Sequence, residues 1–272
     1  MSDEKRFTLT RDGHVATVEL AGPGGKAVMD ERFFAELAET FTALDADADV
    51  RAIVVTGAGP HFSFGLDLAG AAATFVPMRT ATHAGARQEL LALIRRWQAA
   101  LDVVAGVRKP TVAAVTGWCI GGGVDLAVAC DVRIASADAQ FSVREAKVGI
   151  VADLGSLQRL VGVIGDGHLR ELALTGDDIA ADRAAAVGLV NHVHADAPAA
   201  LAAAQDLAAR MAANSPLVLR GVKDVLDAER GPRVEAGLRY TAVWNAAFLL
   251  SNDLDEAITS FVERRPPEFT GR

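Results

Sequence analysis

The sequence predicts an α/β protein with a largely parallel sheet, followed by a last third that is helical only. Two continuous apolar runs, at residues 52–56 and 111–115, are typical of strands that are covered on both faces. Each run is followed by a glycine-rich loop, and the second loop leads into a helical stretch at 124–129. Because strands, loops and helices alternate in this part of the chain, the pattern favours parallel pairing.

The elements before and between these strands follow from local patterns. Residues 7–10 and 15–20 are predicted strands on either side of an Asp-Gly turn. Asp30 can cap a helix whose apolar positions share one face. A further helical stretch surrounds residues 88–101, and residues 132–135 form the next predicted strand.

The last third of the chain, residues 197–272, is predicted to contain helices and no strand. Ser215 and Pro216 mark the start of one helix, since proline is favoured at the first helical position. Residues 234–250 are predicted as another helix, and the pair Asp253 and Glu256 resembles a capping box that begins the last one. These helices are apolar, so they must either fold over the core or form a subunit interface.

Composition excludes several classes of protein. The chain has 272 residues, of which 51% are hydrophobic, and a formal net charge of −8, which argues against binding to nucleic acid. The first residues lack the pattern of a signal peptide, and no run of about 18 apolar residues predicts a membrane span. The two cysteines, Cys119 and Cys130, have neither metal nor disulfide spacing. We therefore expect a soluble, cytoplasmic protein without a metal.

Two glycine-rich loops are the first candidates for a binding site. The loop at 56–68 reads TGAGPHFSFGLDL and the loop at 117–126 reads GWCIGGGVDL. Both follow predicted buried strands, where α/β proteins place ligand loops, and glycine lets a ligand approach the backbone. Two such loops could direct two peptide N–H groups at one oxygen, although a plain tight turn explains three glycines equally well. Neither loop has the spacing of a dinucleotide or P-loop motif.

Three carboxylates are candidates for chemistry. Asp125 lies just inside the helix that opens at the triple glycine, and Glu145 and Asp153 lie in a mostly apolar stretch. An acid in such a stretch is either paired or has a task. Taken one at a time, each acid is explained more simply by an ion pair, for which Arg144 and Lys147 are available.

Taken together, these motifs resemble the crotonase (enoyl-CoA hydratase/isomerase) superfamily. The resemblance runs from about residue 7 to the C-terminal phrase FVERRPPEF at 261–269. It implies a crotonase-like spiral of ββα turns with a helical C-terminal region that is used in trimer formation. By this resemblance, residues 1–196 form the core with the active site and residues 197–272 the oligomerisation region. The expected assembly is a homo-oligomer, either a trimer or a hexamer made of two trimers.

The resemblance implies roles for the two loops and for the first two acids. In this superfamily two peptide N–H groups hold the thioester oxygen and stabilise an enolate. The matching positions are Leu66, which follows Gly65, and Gly122, the middle glycine of three. Asp125 and Glu145 match the two acids with which hydratases hold and activate a water molecule, although hydratases usually have Glu at the first position.

The third acid makes the chain resemble the Δ3,5-Δ2,4-dienoyl-CoA isomerases most. Asp153 stands where hydratases usually have glycine, and the spacings of twenty and eight residues between Asp125, Glu145 and Asp153 match that subgroup. The resemblance implies that Asp153 takes a proton from C2, that Glu145 serves C6 and that Asp125 tunes the others. We therefore expect isomerisation of 3,5-dienoyl-CoA to 2,4-dienoyl-CoA. The alternatives are an enoyl-CoA hydratase and, less favoured, a non-catalytic acyl-CoA-binding protein.

The resemblance implies no separate cofactor, because coenzyme A is part of the acyl-CoA substrate. Positions that match substrate or CoA contacts are Lys26, Ala27, Val28, Ser63, Phe64, Gly65, Asp67, Gly121, Phe261 and Arg264. Of these, Phe261 and Arg264 would reach the CoA of a neighbouring subunit. Lys26 stands where many members have Asn, and Phe64 stands where Ala is usual.

Overall fold

The computed structural model describes residues 5–22, 27–68, 70 and 84–272. The strands are β1 (Phe7–Asp12), β2 (Val15–Leu20), β3 (Val28–Met29), β4 (Ala52–Gly57), β5 (Gly65–Leu66), β6 (Thr111–Val115), β7 (Trp118–Ile120), β8 (Val132–Ser136), β9 (Gln140–Ser142), β10 (Asp178–Ala180) and β11 (His192–His194). The helices are α1 (Glu31–Ala46), α2 (Ala84–Gly106), α3 (Gly122–Ala129), α4 (Ser156–Arg159), α5 (Val161–Thr175), α6 (Ala181–Ala186), α7 (Ala197–Ala212), α8 (Pro216–Phe248) and α9 (Asn252–Glu263). A 3-10 turn covers Glu145–Val148.

The main sheet has six strands in the order β1-β2-β4-β6-β8-β11. Only β1 and β2 pair antiparallel, as a hairpin, and the later neighbours pair parallel. The strands β4 and β6 are mostly apolar and almost fully buried, because both faces of the sheet are covered. One face meets the main core, and the other meets a column of four buried alanines on α7, which are Ala200, Ala204, Ala208 and Ala212.

Short strands follow the main-sheet strands and form two smaller sheets. The strands β2, β4, β6 and β8 are each followed by a short strand, which is β3, β5, β7 and β9 respectively, and then by helical structure. The short strands pair as β3-β5 and as β10-β9-β7. This is the predicted repeat of two strands and a helix. It brings the loops at the carboxyl ends of the parallel strands to one edge of the sheet.

The C-terminal helices cover the core from two sides. Helix α7 lies on the main sheet, whereas α8 packs against α2 and α4, and α9 packs against the 3-10 turn. The chain therefore folds part of this region over its own core. The boundary at residue 197 and the role of residues 197–272 in oligomerisation stay predictions.

Two local predictions for this region were wrong. Residues 216–248 form one helix that contains Pro232, where the sequence predicts two helices. The proline removes one backbone hydrogen-bond donor, but the helix continues through it. The cap of α9 is Ser251, whose hydroxyl accepts a hydrogen bond from the N–H of Leu254 at 3.3 Å. Asp253 instead binds the C-terminal tail, because its carboxylate accepts hydrogen bonds from the N–H groups of Thr270 and Gly271.

Two further findings concern membrane-spanning helices and the cysteines. No helix in residues 5–22, 27–68, 70 and 84–272 is long and apolar enough to cross a membrane. Cys119 and Cys130 are both buried and free, as expected from their apolar surroundings.

Candidate active site

The two glycine-rich loops meet backbone to backbone. Gly65 has a φ of 75°, in the left-handed region that favours glycine. A Cβ atom added to Gly65 would lie 2.6 Å from the carbonyl oxygen of Ile120 and 2.9 Å from the peptide nitrogen of Gly122. Both the conformation and the space therefore exclude a side chain at position 65, and this close contact brings Leu66 next to Gly122.

Gly122 is the first residue of α3, so its N–H has no acceptor within the helix. The N-terminus of a helix also carries a partial positive charge. A Cβ atom on Gly122 would lie 2.8 Å from Sδ of Met29 and 3.7 Å from a methyl carbon of Leu154. The structure thus brings together the two loops that carry the predicted N–H donors, Leu66 and Gly122.

Ser63 holds the first loop in place. Its hydroxyl donates to the carbonyl oxygen of Ala27 at 2.8 Å and accepts from the N–H of Gly65 at 3.1 Å. Its backbone bonds to Trp118 and Ile120 of β7, each at 3.0 Å. Ser63 is fully buried, so its contribution to a substrate site is to fix the loop geometry.

Asp125 lies on α3 and is 1% exposed. Its Oδ1 accepts a hydrogen bond from the N–H of Ser156, whereas its Oδ2 is buried with no hydrogen-bond partner among the described residues. Burial raises the pKa of Asp125 to about 6, and the Ser156 contact and the positive charge of Arg159 limit this rise.

Glu145 begins the 3-10 turn, and its carboxyl group lies over the start of α3. A Cβ atom on Gly121 would lie 3.2 Å from Oε1 of Glu145. Oε2 is buried and has no hydrogen-bond partner within the part of the chain that the structure describes. Burial, together with the negative charges of Asp125 and Asp153, raises the pKa of Glu145 to about 8.

Asp153 lies in the loop before α4. Its Oδ2 accepts a hydrogen bond from Nδ2 of Asn245 at 2.6 Å, and its carbonyl oxygen accepts one from Nε2 of Gln98 at 2.7 Å. Burial raises the pKa of Asp153 to about 7, with a further contribution from the charge of Asp125, while the bond from Asn245 lowers it. Because the three carboxyl groups act on each other's pKa, they form one electrostatic unit.

The interpretation of each acid as half of a simple ion pair does not fit the structure. Arg144 pairs with Asp178, and Lys147 pairs with Asp177 at 3.2 Å. Neither Arg144 nor Lys147 therefore pairs with a site acid, and the hydrogen bonds to Asp125 and Asp153 come from uncharged donors. Buried carboxyl groups of this kind with raised pKa values are typical of proton-transfer sites.

The other predicted contact residues fall into three groups. Lys26 lies outside the described residues. Ala27 is buried, whereas Val28, Phe64, Asp67 and Gly121 are half-buried around the loops. Phe64 packs against His61 with ring centroids 4.9 Å apart, Asp67 accepts a hydrogen bond from the N–H of Gly70 at 3.1 Å, and Gly121 has a φ of 52°. Phe261 and Arg264 are exposed at the end of α9.

Two residues that contact the acids were missed from the sequence. Ser156 supplies the N–H for Asp125, and Asn245 supplies the amide for Asp153. A peptide donor leaves no trace in the sequence, so Ser156 could not be found. Asn245 could have been noticed as a polar residue on a buried helix face. Among the described residues, no group of three His, Cys, Asp or Glu side chains could hold a metal ion.

Comparison with known proteins agrees with this geometry. Residues 10–272 match the family described as Enoyl-CoA hydratase/isomerase. The chain belongs to this family. It is therefore an enzyme of the enoyl-CoA hydratase/isomerase family, and its predicted fold class is confirmed. The crystal structure of an enoyl-CoA hydratase from Mycobacterium avium subsp. paratuberculosis K-10 matches it with a TM-score of 0.83 at 25% identity, over 98% of this chain and 99% of that chain.

Two curated relatives in this family are particularly informative. The chain is 42% identical to the mitochondrial Delta(3,5)-Delta(2,4)-dienoyl-CoA isomerase of Dictyostelium discoideum over 271 residues, which are 99% of this chain and 92% of the relative. It is 40% identical to the peroxisomal protein of the same name from Arabidopsis thaliana, over 87% of this chain and 86% of the relative.

The names of these relatives also correct one prediction. The expectation of a cytoplasmic protein was wrong, because these relatives are mitochondrial and peroxisomal proteins. Net charge and composition report on solubility, and an organelle matrix requires the same solubility as the cytoplasm.

Proposed function

We propose that this enzyme isomerises 3,5-dienoyl-CoA to 2,4-dienoyl-CoA. The observation that carries the proposal is the group of three buried carboxyl groups with raised pKa values, Asp125, Glu145 and Asp153, beside the meeting point of the two glycine loops. The relatives named as dienoyl-CoA isomerases support the same reaction. The substrate is an acyl-CoA thioester, and coenzyme A enters and leaves as part of it.

The two loops stabilise the intermediate of this reaction. Removal of a C2 proton from a 3,5-dienoyl thioester leaves a dienolate whose negative charge is shared by the thioester oxygen, C2, C4 and C6. The peptide N–H groups of Leu66 and Gly122 are the proposed donors to that oxygen. Donors that are fixed before the reaction stabilise the developing charge without any reorganisation, and each is worth about 2.7–4 kcal/mol.

Two of the acids move the protons. The Asp153 carboxylate takes the C2 proton, and the protonated Glu145 gives its own proton to C6, so that the double bonds move from positions 3 and 5 to positions 2 and 4. One C–H bond breaks and one forms, so the substrate keeps its composition. Asp153 ends protonated and Glu145 ionised, and exchange with solvent resets both groups. A pKa of about 8 suits Glu145 to the role of acid at neutral pH.

Asp125 has a tuning role in this proposal. Its Oδ1 is occupied by the N–H of Ser156, and its charge raises the pKa of both Glu145 and Asp153. It therefore keeps Glu145 protonated until the dienolate forms. The proposed contribution of Asp125 is electrostatic, because it acts on the two acids that exchange protons with the substrate.

The test is an ultraviolet assay of the purified protein with a 3,5-dienoyl-CoA, following the growth of the conjugated 2,4-dienoyl absorbance. The wild type is expected to give a fast rise that is lost in Asp153→Asn, since the amide cannot accept the proton. A parallel assay with a 2-enoyl-CoA measures hydration, which Asp125 and Glu145 could support without Asp153. Activity in the second assay alone, retained in Asp153→Asn, would make the protein a hydratase.

We also propose that the chain assembles as a trimer or as a hexamer made of two trimers. The outer face of α8 exposes several large apolar side chains that nothing in the described chain covers, and clusters of exposed apolar side chains mark interaction surfaces. They are Leu217, Val218, Val222, Val225, Leu226, Tyr240, Val243, Trp244 and Phe248. The exposed Phe261 and Arg264 at the end of α9 would then lie near the CoA of a neighbouring subunit.

A further inference from the structure

Helix α8 reaches one of the three acids, Asp153, through a buried amide side chain. Asn245 is 1% exposed and lies on the inner face of the helix, next to the buried Ala242 and Ala246. Its Nδ2 donates two hydrogen bonds, one to the carbonyl oxygen of Val151 at 2.8 Å and one to Oδ2 of Asp153 at 2.6 Å. Both hydrogens of the amide are therefore in use.

This pair of bonds fixes the Asp153 carboxyl group relative to its own backbone. One bond holds the chain two residues earlier, and the other holds the side chain. Gln98 on α2 adds a second brace, because its Nε2 donates to the carbonyl oxygens of Asp153 at 2.7 Å and of Leu238 at 3.0 Å. Gln98 thus ties the backbone of this loop to α8, whereas Asn245 touches the carboxyl group itself.

We propose that Asn245 is a positioning residue for Asp153. Its amide holds Oδ2 of Asp153, so that Oδ1 is the oxygen that takes the C2 proton. This inference rests on the proposed isomerase function and names a residue on which its first step depends. A donor bonded to a carboxylate stabilises the ionised form, so the amide also keeps Asp153 ready to act as a base. Without it, the withdrawal from water and the negative charge of Asp125 would raise the pKa of the carboxyl group with less opposition.

The groups that face Asp153 define the direction of the effect. Asp125 on α3 is acidic and raises its pKa, whereas the charge of Asp153 itself raises the pKa of Glu145 on the 3-10 turn. Arg159 on α4 bonds to the carbonyl oxygen of Leu154 at 3.2 Å and pairs with Asp102 on α2 at 2.5 Å. Helix α8 contributes the neutral Asn245, so loss of this amide must shift the titration of Asp153 to higher pH.

The test uses Asn245→Leu, which has nearly the same shape and no donor. In the pH profile of kcat/KM with a 3,5-dienoyl-CoA, the acidic side reports the ionisation of Asp153. Its apparent pKa is expected to rise by about 1–2 pH units, which corresponds to the loss of a hydrogen bond to a charged group. The rate at pH 6 should fall by tenfold or more, with KM little changed. Asn245→Ala, which removes the donor without adding bulk, should shift the same apparent pKa in the same direction.

Thr241→Val is the matched control, because Thr241 lies one turn earlier on the same buried face. Its hydroxyl accepts a hydrogen bond from Nε2 of Gln158 at 2.9 Å and does not touch Asp153. This variant should lose a similar amount of thermal stability and keep the pH profile of the wild type. A merely structural change would lower the activity of the Asn245 variants by the same factor at every pH and leave the apparent pKa unchanged. That result would overturn the proposal.

A titration without substrate separates this proposal from the proposed function. The ¹³C carboxyl signal of Asp153, assigned by its loss in Asp153→Asn, should titrate at higher pH in Asn245→Leu than in the wild type. This shift is expected whichever thioester the enzyme uses. An unchanged titration would refute the positioning role, whereas a wild type without activity on 3,5-dienoyl-CoA would refute the proposed reaction alone.

Discussion

At the scale of single residues, the three carboxyl groups differ by the donors that reach them. Asp125 receives the N–H of Ser156 and feels the charge of Arg159, and its pKa is about 6. Asp153 receives one amide, and its pKa is about 7. Glu145 has an oxygen without a partner among the described residues, and its pKa is about 8. Burial raises all three pKa values, and the local hydrogen bonds together with the neighbouring negative charges set their order, which provides one base and one acid.

The first prediction concerns pH. Turnover requires Asp153 to be ionised and Glu145 to be protonated, so activity is lost below about pH 7 on one side and above about pH 8 on the other. The profile of kcat/KM from pH 5 to 10 should be a bell with its maximum between these limits, and its two apparent pKa values belong to the coupled group. A rate that keeps rising above pH 9 would contradict the role of Glu145 as the acid.

The second prediction concerns the meeting point of the glycine loops. Gly65→Ala would place a Cβ atom 2.6 Å from the carbonyl oxygen of Ile120, at a residue with a φ of 75°. The loop must move, which displaces the N–H of Leu66, so kcat should fall by about 10²–10³-fold. Gly167→Ala in α5 is the control, because its Cβ atom meets nothing within 4 Å and should leave kcat unchanged. Equal rates for the two variants would refute the oxyanion role of this loop.

At the scale of elements, the placement of Glu145 depends on the last helix. Helix α9 packs against the 3-10 turn through Gly149, which has a φ of 69°. A Cβ atom there would lie 3.2 Å from the backbone of Asp253 and Leu254. A side chain at position 149 would therefore push α9 away from the turn that carries the acid.

The third prediction follows from this contact. Gly149→Ala should lower kcat through displacement of Glu145, in addition to the cost of about 1 kcal/mol for a left-handed alanine. Gly188→Ala is the matched control, because Gly188 has a φ of 83° and its Cβ atom would meet only the carbonyl oxygen of Val163, at 3.4 Å. The two variants should lose comparable thermal stability, whereas only the first should lose activity. A similar fall in kcat for both would show that strain alone causes it.

The sequence could predict the elements of the core better than those of the C-terminal helices. Continuous apolar runs and capping residues are local signals, so the strands β4 and β6 and the helix α1 were predicted correctly. The continuity of α8 through Pro232 has no local signal, because Gly231 and Pro232 together indicate the end of a helix. The same limit applies at the site. The glycine loops and the acids follow a pattern along the chain, but the contact from Asn245 to Asp153 joins two elements 92 positions apart.

At the scale of the whole molecule, the exposed face of α8 is the feature that calls for a partner. Tyr240 is 69% exposed, Phe248 is 61% exposed and Trp244 lies between them. The ring centroids of Trp244 and Phe248 are 4.7 Å apart, so these side chains form one apolar surface. A second copy of the chain is the proposed cover for it.

The fourth prediction tests this assembly. Tyr240→Asp places a charge in the apolar surface and should lower the molar mass measured by light scattering from that of a trimer or hexamer to that of smaller species. Leu174→Asp is the control, because Leu174 is 77% exposed on a different helix, α5, and its variant should keep the mass of the wild type. A monomeric wild type, or an unchanged mass for Tyr240→Asp, would refute the proposed assembly.

The second half of helix α8 packs against the core on one side and exposes large apolar side chains on the other. Thr241, Ala242, Asn245 and Ala246 are buried towards the core, whereas Tyr240, Val243, Trp244 and Phe248 face outwards. In the first half of the helix the side chains are mostly exposed. Tolerance to mutation should therefore be uneven along one continuous helix. A saturation scan selected on activity should accept few substitutions between positions 238 and 248, since nearly every change there meets either the core or the outer surface. In the stretch before Pro232 it should accept many substitutions, except at the exposed apolar positions Leu217, Val218, Val222, Val225 and Leu226.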